Sequence, residues 1–122
     1  MGTTEETLDV IERFNEAFNR HDVDTVMSLM ADDVQFDSTG PVPDGEQFKG
    51  QDAVRAFWEL FFASSPGAFF DGLDVFAAGD RATVRWLFTF DKANPDGGHV
   101  HGVDVFKVRD GKVAEKLCYV KG

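Results

Sequence analysis

Residues 81–121 read RATVRWLFTFDKANPDGGHVHGVDVFKVRDGKVAEKLCYVK, and their rhythm decides the fold. Val84, Trp86, Phe88 and Phe90 alternate with Thr83, Arg85 and Thr89, the period of two that a half-buried strand requires. Leu87 is the one apolar residue out of step. The turn signals Ala78-Gly79-Asp80, Asn94-Pro95-Asp96-Gly97-Gly98 and Asp110-Gly111 separate strands expected near 69–78, 81–91, 99–109 and 112–121. Upstream the period changes. Val54, Phe57, Trp58, Phe61 and Phe62 stand at i, i+3, i+4, i+7 and i+8, which predicts a helix from about Gln51 to the stop at Ser64-Ser65-Pro66-Gly67. Leu8, Ile11, Phe14 and Phe18 repeat at steps of three and four behind a Thr3/Glu6 capping box. Asp22 or Asp24 can cap a second helix that carries Val26, Leu29 and Met30 inward, and Val34-Gln35-Phe36 begins a short strand. Residues 38–50 hold two Pro and three Gly and read as an irregular loop. Helices first and strands afterwards, joined by tight turns, give one α+β domain over residues 1–122, its N-terminal helices packed in an antiparallel sheet.

Composition narrows the function classes. The chain has 122 residues, 43% of them hydrophobic, which supplies a core large enough to offset chain entropy and excludes disorder. Its 22 acidic and 12 basic residues leave a net charge of −10, which repels phosphate backbones and anionic lipid. Nucleic acid and membrane surfaces are therefore not expected partners. Cys118 is the only cysteine, so no internal disulfide can form and a reducing compartment is expected. The opening MGTTEETLDV has neither a basic nor an apolar leader region, and no apolar run approaches the ~18 residues of a membrane span, so a cytoplasmic protein is expected.

The segment FNRHDVDTVMSLMADDVQF (18–36), a loop ending at Gly50, the helix start GQDAVRAFW (50–58) and the hairpin GVDVFKVRDGKVAEK (102–116) together resemble the SnoaL-like, nuclear transport factor 2-like superfamily. The resemblance runs over residues 7–120. It implies a cone, a strongly curved antiparallel sheet wrapped around the helices with a central pocket at the wide end. Ketosteroid isomerase, limonene epoxide hydrolase, polyketide cyclases, scytalone dehydratase and non-catalytic modules share that cone, so the fold alone does not fix the chemistry. Carried over by position, the isomerase's general base falls on Ser38, with Asp37 beside it on the opposite strand face. Its oxyanion Tyr falls on Phe14, and its oxyanion Asp falls on Asp104 in DVFKV. Phe14 cannot donate a hydrogen bond to an enolate and Ser38 is no base without a helper, so that catalytic set does not carry over. The epoxide hydrolase's Asp–Arg–Asp set falls on Trp86, Phe88 and Cys118, none of which holds and activates a water.

Asp104 is the sharpest candidate. It sits mid-strand on one face with Phe106 and Val108, where a carboxylate is costly unless paired or protonated. It is either an acid, base or hydrogen-bond donor at the pocket floor or a structural carboxylate paired with a neighbour. A three-residue loop at Arg109-Asp110-Gly111 sets Asp104 opposite Lys116 and turns Cys118 and Val120 to the same face. A two-residue Asp-Gly turn sets it opposite Leu117 and turns Glu115 inward instead. The pocket positions implied by the resemblance fit the first register, in which Asp104 and Lys116 form a catalytic pair or a plain salt bridge.

Among the remaining polar residues, His99 and His101 share a strand face away from Asp104 and are one ligand short of a metal site, so no metal is expected. His21 is expected at the surface. Cys118 is a nucleophile if Lys116 acidifies it and otherwise inert packing. Phe14, Phe18, Phe36, Phe57, Trp58, Trp86, Phe88 and Phe106 converge on one volume, and with Ser38 and Cys118 they are the expected substrate-binding residues. Such a lining suits a small, largely apolar carbonyl or polycyclic metabolite. No Gly-rich phosphate loop, Ser/His/Asp set or CxxC spacing is present, and no cofactor is expected. Two functions fit. One is a ligand-binding protein acting as a cofactor-independent isomerase, cyclase or lyase through Asp104 and Lys116. The other is a non-catalytic module with a filled cone. A homodimer through the outer sheet face, by way of Leu87, Val103 and Val105, is compatible with both.

Overall fold

A computed structural model of the chain describes residues 3–121. Helix α1 (Thr4–Asn19) starts where the capping box predicts: Glu6 N donates to Thr3 Oγ1 at 3.0 Å and Thr3 N donates to Glu6 Oε1 at 3.1 Å. Its buried face carries Val10, Ile11, Phe14, Ala17 and Phe18. Leu8 stands outside that face, 37% exposed, and Thr7 is buried in its place because its hydroxyl donates to Gly79 O at 2.6 Å. Asp22, not Asp24, caps the short α2 (Val23–Ser28), accepting from Thr25 N and from Thr25 Oγ1.

Strand β1 (Met30–Asp37) begins four residues earlier than Val34, and the loop after it contains a short β2 (Gln47–Lys49). Helix α3 (Gln51–Ser64) buries Val54, Trp58 and Phe62. Four strands complete the chain: β3 (Phe69–Ala78), β4 (Arg81–Thr89), β5 (His99–Arg109) and β6 (Lys112–Val120). They match the expected spans to within two residues.

The six strands form one curved, unclosed sheet in the order β2-β1-β6-β5-β4-β3. Every neighbouring pair is antiparallel except β1 and β6, which run parallel, so the sheet is mixed. Side-chain alternation has the same period in both kinds of ladder, which is why the pattern of apolar residues could not show the parallel pair. Helix α1 packs on β3 and β4, and α3 packs on β1 and β2. The core between helices and sheet includes Phe14, Phe36 and Phe106, each fully buried and each contributing roughly 1.5–3 kcal/mol of apolar burial. Among the described residues, no helix is long and apolar enough to cross a membrane.

Candidate functional site

The β5–β6 hairpin sets the site, and it adopts neither of the two expected registers. Asp110 (φ 54°) and Gly111 (φ 74°) are both left-handed, which is the two-residue turn that favours Asp-Gly. Arg109 pairs with Lys112 and Val108 with Val113, but Lys107 then pairs with Glu115, leaving Ala114 as an extra residue in the ladder. That bulge reverses the parity the turn alone would impose. Asp104 comes to lie opposite Cys118, not Lys116 or Leu117, while Phe106 lies opposite Lys116. Lys116 therefore shares the inner face with Asp104 even though the turn is the two-residue one.

The two charges meet diagonally. Lys116 Nζ lies 3.1 Å from Asp104 Oδ2 and donates to Cys118 Sγ at 3.0 Å. Both residues are only 4% exposed. The faces of Phe36, Trp58 and Phe106 enclose the ammonium, with ring centroids 5.2, 5.4 and 5.9 Å away. Burial, the largest single influence, pushes the Lys116 ammonium towards its neutral form, but the Asp104 carboxylate and the Cys118 sulfur together more than reverse this, and the pKa ends above the usual lysine value. Lys116 is thus a fixed positive charge rather than a free amine. Burial likewise pushes the Cys118 thiol up to about 12, against the opposing pull of Lys116. The thiol is neutral near pH 7, and the nucleophile reading of Cys118 gives way to a packing and hydrogen-bonding role.

Beside the pair lies a cavity of about 50 Å³, lined by Phe18, Phe36, Ser38, Thr39, Phe57, Trp58, Phe61, Phe70, Trp86, Asp104, Lys116 and Cys118. Nine of the expected site residues are therefore brought together. Three are not. Phe14 and Phe106 meet edge to face in the core at 5.9 Å, and Phe88 packs on Phe70 at 4.6 Å, outside the lining. Thr39, Phe61 and Phe70 join the wall without having been expected, although Phe61 belonged to the apolar stripe of α3 and Thr39 adjoins Ser38. Ser38 is engaged by its own loop, donating from Oγ to Gly40 O at 2.8 Å and accepting from Glu46 N at 3.1 Å.

Three of the lining residues carry a buried polar atom with no protein hydrogen-bond partner: Trp58 Nε1, Trp86 Nε1 and Asp104 Oδ1. An unmade bond to a buried donor or acceptor costs roughly 1–3 kcal/mol, so three around one small cavity call for a physical account.

The histidines lie elsewhere. His99 and His101 are exposed, with ring centroids 5.5 Å apart. Among the described residues, no group of three or more His, Cys, Asp or Glu could hold a metal ion. His21 is not a free surface residue: it is part-buried, stacks on Phe62 at 4.5 Å, and its Nε2 lies 2.8 Å from Ala68 O.

Compared with known families, residues 11–116 match the model of the SnoaL-like domain. The chain belongs to the SnoaL-like family. An NTF2-like protein of unknown function from Mesorhizobium loti is 38% identical to this SnoaL-like chain, with a TM-score of 0.83 over 98% of it and 93% of the other. A provisionally assigned ketosteroid isomerase from Kribbella flavida superposes with a TM-score of 0.81 at 20% identity, covering 100% of this chain and 82% of its own. A provisionally assigned polyketide cyclase from Sinorhizobium meliloti gives 0.75 at 20% identity, over 90% and 93%. At that identity the last two show the shared cone alone. No protein of curated function matches the chain.

Proposed function

We propose that this SnoaL-like protein binds a small carbonyl compound in the aromatic cavity and exchanges a proton with it through Asp104, without a cofactor. The observation that carries the reading is Asp104 itself. One carboxylate oxygen is held by Lys116, the other, Oδ1, is buried and without a protein partner, and the residue lines the cavity. A carboxylate so placed accepts a proton from an acidic carbon or hydroxyl and returns it to another atom of the same ligand, which is an isomerase, cyclase or lyase step. Lys116, kept charged, holds the carboxylate in place and offsets its charge. Two of the structural neighbours, the provisionally assigned ketosteroid isomerase and polyketide cyclase, carry assignments in the same class of chemistry. A space of about 50 Å³ takes a compact ligand, whereas drug-sized and polycyclic compounds need roughly 300 Å³ or more. The test is a screen of small ketones and aldehydes by ligand-observed NMR, repeated with Asp104→Asn. A carbonyl compound whose binding Asp104→Asn weakens at least tenfold supports the proposal, and a screen in which every binder is indifferent to that change removes it.

The outer sheet face favours a second, compatible reading as a dimerisation surface. Phe76 and Tyr119 are 70% and 56% exposed, and Leu87, Val103 and Val105 are only part-buried there. A homodimer covering this face gives twice the chain mass in light scattering at tens of micromolar. A monomeric mass rejects it.

A further inference from the structure

Trp58 comes from α3 and Trp86 from β4, yet both line the cavity together with Asp104, and each carries a buried indole N–H without a protein partner, as Asp104 does at Oδ1. An indole N–H can only donate and a carboxylate oxygen can only accept. The unmet demand is therefore for one group that accepts and one that donates. In about 50 Å³ those two groups must sit on the same or adjacent atoms of the occupant. Charge sets a further condition. Asp104 and Lys116 already cancel, so an anion or a cation would add an uncompensated charge to an aromatic enclosure, at heavy desolvation cost. The enclosure also leaves the rest of the ligand facing Phe18, Phe57 and Phe70.

We infer that Trp58 and Trp86 are the specificity-determining donors of this cavity, and that its ligand is a neutral compound bearing a carbonyl oxygen next to a hydroxyl, an α-hydroxy ketone or its enediol. This rests on the reading of the cavity as a carbonyl-binding site and narrows it. The carbonyl oxygen accepts from the indole N–H groups while the neighbouring hydroxyl donates to Asp104 Oδ1. Simple ketones lack the donor, α-keto acids are charged, and alcohols offer the indoles a weaker acceptor.

The chain has two tryptophans, so a ¹⁵N-labelled sample shows two indole N–H signals that report on the proposed contacts without any substitution. Hydroxyacetone, acetone and pyruvate are the probes. Hydroxyacetone is expected to move both indole signals saturably, acetone to bind about tenfold more weakly for the missing hydroxyl hydrogen bond, and pyruvate to leave the signals in place. Trp58→Phe and Trp86→Phe should each weaken hydroxyacetone by roughly three- to tenfold. If hydroxyacetone shifts the backbone signals of Asp104 and Cys118 but neither indole, the inference fails and the carbonyl-binding reading stands. Pyruvate binding as tightly as hydroxyacetone also overturns the inference alone. If no probe moves any cavity signal, the reading falls and the inference with it.

Discussion

Replacing Lys116 by Met removes one half of a buried pair and keeps the stem volume. At 3.1 Å and an effective dielectric of about 20, the attraction between Lys116 and Asp104 is about 5 kcal/mol. Desolvation of both ions, several kcal/mol each, offsets most of this, so the pair's net contribution to stability is small. Losing the ammonium alone is another matter. The Asp104 carboxylate is then left 4% exposed with no cation, and such half-pairs typically cost about 3–5 kcal/mol. For a chain of 122 residues, each kcal/mol moves the melting temperature by about 4 °C, so Lys116→Met should melt roughly 10–20 °C lower. The double variant Asp104→Leu/Lys116→Met removes both charges and should recover most or all of that loss. Urea denaturation followed by circular dichroism of the wild type, both single variants and the double variant gives the coupling free energy directly. A Lys116→Met variant within about 1 kcal/mol of wild type, or a double variant less stable than either single one, refutes the physical account. Recovery of stability in the double variant together with loss of ketone binding would show that the pair is retained for the ligand.

Alkaline pH tests the same cluster with a definite sign. Cys118 ionises near 9.0 when unfolded but at about 12 when folded, so folding is fully supported below pH 9 and loses support as pH rises towards 12. Lys116, raised above its ordinary 10.5, acts in the same direction above that value. Melting temperatures should hold to about pH 8.5 and then fall, by about 1.4 kcal/mol of stability at pH 10, and Cys118→Ala should delay the onset. The Cys118 thiol, neutral and part-buried, should react with a disulfide reagent at pH 8 at least tenfold more slowly than a free cysteine; labelling of native protein at the rate of a free cysteine would contradict its neutral state. Two glycines should separate strain from collision. Gly111→Ala, at φ 74° with open space around the new Cβ, should cost about 1–2 kcal/mol from backbone strain alone. Gly102→Ala drives a Cβ into the Trp86 indole and should also disturb ketone binding, which Gly111→Ala should leave intact.

Much of this protein was legible in the chain itself. The periods of α3 and of β3–β6, the Thr3–Glu6 box and the Asp-Gly turn are local signals, so helices, strands and the buried faces could be read from residues a few positions apart. Asp104 stood out for the same reason, a carboxylate in an apolar alternation. What escaped depended on partners distant in sequence. The parallel pairing of β1 with β6 joins strands more than 70 residues apart, and the buried Thr7 is explained only by Gly79 O. The bulge at Ala114 decided which way Lys116 faces, because a single inserted residue inverts a period of two and no local propensity marks it. The orphaned indole donors were equally invisible. A tryptophan in an apolar stripe reads as core, and only the packed structure shows that its nitrogen meets no acceptor. Sequence thus determined the elements and their inward faces, since those follow from short-range periodicity and burial. Tertiary structure alone decided the pairing, the cavity and its unmet hydrogen bonds, since those depend on how separate elements meet.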